Sequence, residues 1–183
     1  TTKVMLKTPS CISRMERTGV VSTETAQALG AVGMAARSSG VDIDTRFDFN
    51  DKWYTSLDVV KPFKATGDVH SRFKLRYKEI KQSMQIVKKL LDKLKEFRNE
   101  QILTNPNKTL APNAFAISMT EGWRGEIVHI ALTGANGELL RYKMKDPSFN
   151  NWYMLAMAVR NNGVSDFPLC NKSFNLSYCG NDL

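Results

Sequence analysis

Histidine, cysteine and long apolar runs are all scarce in this chain of 183 residues. Two histidines, His70 and His129, leave little material for a histidine-rich metal site. The three cysteines, Cys11, Cys170 and Cys179, are an odd number, and none is spaced C-x-x-C. Neither a disulfide framework nor a four-ligand zinc site is favoured, and a reducing, cytoplasmic setting fits best. No stretch approaches the ~18–20 uninterrupted apolar residues of a transmembrane helix. No charged run leading into an apolar block marks a secretory signal. The phosphate loop, the dinucleotide glycine fingerprint, G-x-S-x-G and H-E-x-x-H are all missing.

What is present is an ordinary folding composition. Hydrophobic residues make up 42% and charged residues 24%, with a mean hydropathy of −0.33. That supports a sizeable core and one domain. The formal charge of +8 raises nucleic acid, an anionic membrane surface or an acidic partner.

Most of this charge sits in one segment. Phe73, Tyr77, Ile80, Met84, Val87, Leu91 and Leu94 recur at alternating spacings of four and three, which predicts a long helix over 69–97 with an apolar seam. Asp68 is its expected N-cap. The segment carries nine basic residues against three acidic ones, while the rest of the chain has seventeen against fifteen. Solvated lysines account for such a face more readily than an anionic partner does. Aromatics are not interleaved on the polar side, so no nucleic-acid partner is expected.

Elsewhere, Ser22 is placed to cap a helix that runs through Ala26 and Leu29 into the glycine-spaced stretch Gly30, Gly33 and Gly40. Residues 41–67 read as an extended, loop-rich segment with Trp53, Tyr54 and Phe63. Two strands are expected, Glu126 to Leu132 and Glu138 to Met144, joined at Asn136-Gly137, a type I′ hairpin signal. Ala114 to Met119 alternates only weakly. Ser148 is placed to cap a helix from about Phe149 to Arg160, and the last twenty residues show no periodicity. His129 on its strand reads as structural. The segment Glu121-Gly122-Trp123-Arg124-Gly125-Glu126 reads as an exposed turn with a salt bridge rather than as a buried arginine held by carboxylates. Together these features predict an α+β fold, mainly helical, with long helices packed on a small antiparallel sheet.

A series of short motifs resembles one family. In order they are Gly19-Val20-Val21-Ser22, Ala36-Arg37-Ser38-Ser39-Gly40, Asp44-Thr45-Arg46, Gly67-Asp68-Val69-His70-Ser71-Arg72, Glu79 with Ser83, the Glu121 to Glu126 segment, Asp146-Pro147-Ser148-Phe149 and Asp166-Phe167-Pro168-Leu169. The chain resembles the large subunit shared by energy-converting NiFe hydrogenases of the formate hydrogenlyase type and the 49-kDa subunit of complex I. The resemblance covers nearly all of residues 1–183 and corresponds to the C-terminal part of such a subunit, so the start at Thr1 reads as a boundary within a longer product.

That family carries its second nickel-binding cysteine pair in a C-terminal Asp-Pro-Cys-x-x-Cys motif. The matching positions here are Asn175, Leu176, Ser177 and Gly180, with Cys179 adjacent but out of register. A serine hydroxyl is a poor substitute for a thiolate. The resemblance therefore implies a subunit of a hydrogenase-like or NADH:quinone oxidoreductase-like redox complex, without a nickel–iron centre, and no metal ligand is expected in this chain. It implies a tail inserted into the core near a vacated metal or quinone cavity. Arg124 and Tyr178 would line that cavity as candidate catalytic residues, and Ser177 and Cys179 as candidate cofactor contacts. The implied partners are an iron–sulfur small subunit and membrane subunits, with quinone or iron–sulfur clusters held by those partners. The implied location is the cytoplasmic, inner face of the cell membrane. The isolated chain is expected to show no turnover. A non-catalytic assembly scaffold of such a complex is the alternative.

Overall fold

A computed structural model describes residues 2–49, 54, 56–57, 59–97 and 109–179. Among the described residues, eight α-helices, one of them long, accompany a three-stranded antiparallel meander. Trp53 and Gly180 lie outside the described residues.

The amino-terminal part is a set of short helices, α1 (Thr2–Met5), α2 (Pro9–Met15), α3 (Thr23–Ala28), α4 (Gly33–Ser38) and α5 (Thr45–Asp48). Ser22 caps α3, its hydroxyl accepting from the Thr25 N–H at 3.2 Å. The glycine-spaced stretch after Leu29 ends one helix and begins another. Both glycines adopt positive φ near 63°, which ends α3 and turns the chain before α4 starts. Within the loop-rich 41–67 segment, Asp44 caps the short α5 by accepting from the Arg46 N–H.

The predicted long helix is α6 (Val69–Leu94), continued by a 3-10 turn to Phe97. Its 26 residues span ~39 Å at the usual rise. Asp68 caps it, accepting from Ser71 N–H at 2.7 Å. The predicted seam, however, is not the buried face of the helix, and its first members Phe73 and Tyr77 are only partly buried. Val69 and Leu75 are in the core, whereas Met84, Val87, Leu91 and Leu94 are each more than half exposed.

The sheet is β1 (Phe115–Gly122), β2 (Gly125–Thr133) and β3 (Leu139–Lys145) in that spatial order. Strand β1 is the segment whose alternation was weakest; its outer residues Phe115 and Ile117 stay exposed, so no clean in-and-out pattern marks it. The hairpin joining β2 and β3 departs from the type I′ expectation. Five residues connect the strands, a register irregularity sits at Leu132/Thr133, and Gly137 alone of the Asn-Gly pair has positive φ. Thr133 is the reason: its hydroxyl accepts from Ala114 N–H and donates to the Ala111 carbonyl, holding the strand end to the preceding segment.

Helix α7 (Ser148–Ala158) begins one residue earlier than expected, with Ser148 inside it. The cap function falls to Asp146, whose carboxylate accepts from the Ser148 N–H at 2.7 Å. The aperiodic last twenty residues contain α8 (Phe167–Phe174), a helix of 8 residues opened by Pro168, too short to show a period. The core gathers Met15, Val21, Ala35, Val69, Met154 and Phe174, so it draws on α2, α4, α6, α7 and α8 together. Leu176 enters it as well, whereas Tyr178 and Cys179 lie at the surface.

A buried ion cluster and a clamped tail

Arg37 stands in α4 with its side chain 2% exposed. A buried guanidinium needs carboxylates and carbonyls around it. Its Nη1 donates to Glu121 at 2.9 Å and to the Ile43 carbonyl at 3.1 Å, and lies 3.1 Å from Asp44. Its Nη2 donates to Glu79 at 2.5 Å. Asp44 is in turn gripped by Arg46 through two bonds of 2.9 and 2.6 Å, and Glu121 accepts from the Thr45 N–H at 3.2 Å. Two guanidinium groups and three carboxylates thus converge from α4, the 44–46 turn, α6 and the end of β1.

The electrostatics follow from this packing. Burial opposes the charge on Arg37, but Glu79, Glu121 and Asp44 outweigh it and hold its pKa above the usual value. Burial also opposes ionisation of Asp44; the Arg46 and Arg37 contacts win and hold it below the usual carboxylate range. For Glu121 burial wins over Arg37, helped by the nearby Asp44, so its carboxyl sits above that range. Thr45, Arg46, Phe49, Tyr54, Met119 and Glu121 line a cavity of about 160 Å³ on one side of the cluster. Chemically, the arrangement holds charge rigidly and makes Glu121 the carboxyl that takes up a proton most readily beside that cavity.

A close backbone approach positions the cluster. Gly33 opens α4 against the β1–β2 turn, where a Cβ on Gly33 would meet the Gly125 Cα at 2.2 Å. This contact brings Arg37, one turn further along α4, over Glu121.

The second arginine set holds the tail. Arg72 is fully buried; it donates to the Gly67 carbonyl at 2.7 Å, the Gly19 carbonyl at 2.8 Å and the Ser173 hydroxyl at 2.8 Å, over the Phe174 ring. Arg76 donates to the Ser173 and Phe174 carbonyls at 2.8 and 3.2 Å, and Arg124 donates to the Asn175 carbonyl. Cations therefore meet the orphan carbonyls at the C-terminal end of α8, where the helix dipole is negative. Burial pushes Arg72 and Arg76 down to about 10, with Arg124 adding to the effect at Arg76.

The residues singled out in the sequence fall as follows. Arg124 lies in the two-residue turn between β1 and β2, half-buried, with its guanidinium on the tail. Tyr178 is 69% exposed, its ring tilted against Trp152 with centroids 5.2 Å apart, and its hydroxyl accepts from Asn171 at 3.1 Å. Ser177 N–H donates to the Ser148 hydroxyl, and its own hydroxyl is 3.5 Å from the Cys179 sulfur. Arg124 and Ser177 are thus drawn to the same tail, with Tyr178 facing outward beside Phe149, Trp152 and Tyr153. His70 is largely covered and faces Glu16 at 3.4 Å. The Glu121 to Glu126 segment is not the exposed salt-bridged turn that spacing suggested. Trp123 is exposed, but Glu121 is 4% exposed and bonded to Arg37, while Glu126 pairs with Lys145. The cluster of Arg37, Asp44, Glu79 and Glu121 was missed as a site because its members stand 42 and 84 residues apart. The one available signal was that all four fall in the ordered motifs of the family resemblance.

Comparison with known proteins agrees with those motifs. Residues 1–116 match the family model described as respiratory-chain NADH dehydrogenase, 49 Kd subunit. Formate hydrogenlyase subunit 5 of Escherichia coli is 31% identical over 179 residues, which is 98% of this chain and 31% of that protein. The alpha subunit of the membrane-bound hydrogenase of Pyrococcus furiosus is 32% identical, covering 89% of this chain and 41% of the relative. A subunit of the NADH-quinone oxidoreductase of Syntrophobacter fumaroxidans is 27% identical, covering 85% and 41%. The chain spans about a third to two-fifths of the length of these relatives. The chain belongs to the family of the 49-kDa subunit of respiratory-chain NADH dehydrogenase.

Proposed function

We propose that this chain is the C-terminal part of the large subunit of a membrane-associated, energy-converting redox complex, and that its tail holds no nickel–iron centre. Electrons reach it from an iron–sulfur small subunit, and membrane subunits anchor it on the cytoplasmic face. No helix among the described residues is long and apolar enough to cross a membrane.

The observation that carries this reading is the clamped tail. Arg124 fixes Asn175, and Ser177 follows where the family motif carries its first cysteine. Among the described residues of the tail, the donors there are one hydroxyl and one thiol, Ser177 and Cys179. A hydroxyl stays protonated at neutral pH, so this pair does not fit the two bridging thiolates of a nickel–iron site. The protein's own groups are the rigid arginine clamp and the buried cluster beside its small cavity, which suit a proton-coupled electron acceptor such as a quinone carried by the complex.

The intact complex provides the test. Metal analysis should find no stoichiometric nickel in the large subunit. Arg124→Ala and Tyr178→Phe should each lower redox turnover of the assembled complex. Stoichiometric nickel bound through the tail would overturn the metal claim. Full turnover in both variants, with normal assembly, would leave a non-catalytic scaffold as the function, a reading favoured by the exposure of Tyr178 and Cys179.

A further inference from the structure

Asn151 is a buried polar side chain that the redox reading does not use. It stands in the first turn of α7 and is 1% exposed. Its Oδ1 accepts from the Val32 N–H at 3.1 Å, and its Nδ2 donates to the Val32 carbonyl and to the Arg124 carbonyl, each at 3.2 Å. Both N–H bonds of the carboxamide are thus used. The two bonds to Val32 fix the plane of the carboxamide, and the third N–H···O bond then points at the β1–β2 turn.

Two other contacts meet at that turn, and each does a different job. Gly33 packs so closely that a Cβ there would come within 2.6 Å of the Arg124 carbonyl oxygen. This is a steric limit on how near the turn comes to α4. From the α6 side, the Arg76 guanidinium lies 5.2 Å from the centre of the Trp123 ring. The Asn151 bond is the directional hold on the Arg124 backbone itself. One helical turn earlier, Ser148 accepts from the Ser177 N–H at 2.9 Å. The same end of α7 therefore ties down the turn that carries Arg124 and the tail that Arg124 reaches at the Asn175 carbonyl.

We propose that Asn151 is the positioning residue for Arg124: its carboxamide holds the Arg124 carbonyl to Val32 and so sets where the guanidinium meets the tail. The consequence for turnover rests on the proposed role of Arg124 in the redox complex; the placement of Arg124 does not. A side chain without the amide donors leaves the Arg124 carbonyl unheld, and a small rotation of the turn is multiplied along an arginine side chain. A misplacement of about 1 Å near reacting atoms can cost on the order of a hundredfold in rate.

The test uses the intact complex, with Asn151→Ala, Arg124→Ala and the double variant forming a cycle. Hydrogen exchange reads the placement. Asn151→Ala should speed exchange in residues 175–179 about tenfold, as loss of one hydrogen bond to a charged group does. Arg124→Ala should do the same, and the double variant should go no further than Arg124→Ala. Turnover with a water-soluble quinone reads the consequence. Asn151→Ala should lower kcat/KM at least about tenfold, with no added loss in the Arg124→Ala background. An asparagine that only stabilised the fold would take the same factor from either background. Where the alanine variant does not assemble, Asn151→Ser takes its place, with a single donor on a shorter stem. Additive losses in either readout, or tail protection unchanged in the Asn151 variants, would overturn the proposal. Coupled loss of protection with full turnover in Arg124→Ala and Asn151→Ala would uphold the placement and overturn the redox role of Arg124 instead.

Discussion

At the scale of single residues, Glu121 is where charge and burial are most nearly opposed. Burial raises its pKa from an ordinary value of 4.5, and Arg37 only partly offsets this. A carboxyl raised by folding contributes stability that is present below the unfolded value and lost as pH rises through the folded one. The window therefore opens above 4.5. Asp44, lowered on balance, acts in the opposite sense, and its contribution is lost as pH falls below its ordinary 3.8. Glu121→Gln removes the first titration and keeps an acceptor for Thr45. The stability of the variant relative to the unmodified chain should rise as pH goes from about 4 toward 7. Urea midpoints across that range measure it; a flat difference would mean that Arg37 fully offsets the burial of Glu121.

At the scale of elements, legibility in the sequence followed range. Ser22 and Asp68 act within three residues of themselves, so both caps could be read from local residue type. The 26 residues of α6 give its period many turns in which to show. By contrast α8 spans just over two turns, and β1 has one register partner and little burial to pattern it. The ion cluster was out of reach for a similar reason. Nothing near Arg37 in sequence announces Glu79 or Glu121; only the packing of α4 on the β1–β2 turn brings them together. Gly33 is the hinge of that packing. Gly33→Ala adds a Cβ against the Gly125 Cα at 2.2 Å and forces alanine to a φ of +63°. Left-handed strain and overpacking together should destabilise the fold by about 2–5 kcal/mol. Gly30→Ala is the comparison, since it shares the φ of +63° but meets only the Asn150 amide at 3.5 Å. It should cost about 1–2 kcal/mol of backbone strain alone. Unfolding midpoints of the pair separate packing from conformation, and equal losses would remove the packing argument.

For the whole molecule, one guanidinium joins the chain ends alongside the shared apolar core. Arg72 joins Gly19, Gly67 and Ser173, segments from the beginning, middle and end of the sequence, and does so without a carboxylate in hydrogen-bonding range among the described residues. Each of its three nitrogens is used, so the planar fork rather than the charge is what the site requires. Arg72→Lys keeps a cation but one ammonium on a thinner stem cannot follow the fork to all three acceptors. Stranding buried acceptors costs about 1–3 kcal/mol apiece, so the variant should lose roughly 2–4 kcal/mol of global stability. Arg124→Ala removes a bond to the Asn175 carbonyl at the edge of the fold, and should loosen only the residues after α8. Hydrogen exchange distinguishes the two. In Arg72→Lys, protection should fall together in α3, α6 and α8, because the three segments share the same anchor. In Arg124→Ala it should fall only from about Phe174 onward. If Arg72→Lys instead loosened the tail alone, the amino-terminal helices would be held by their apolar contacts, and the guanidinium would be a cap for α8 and not the joint between the two ends of the chain.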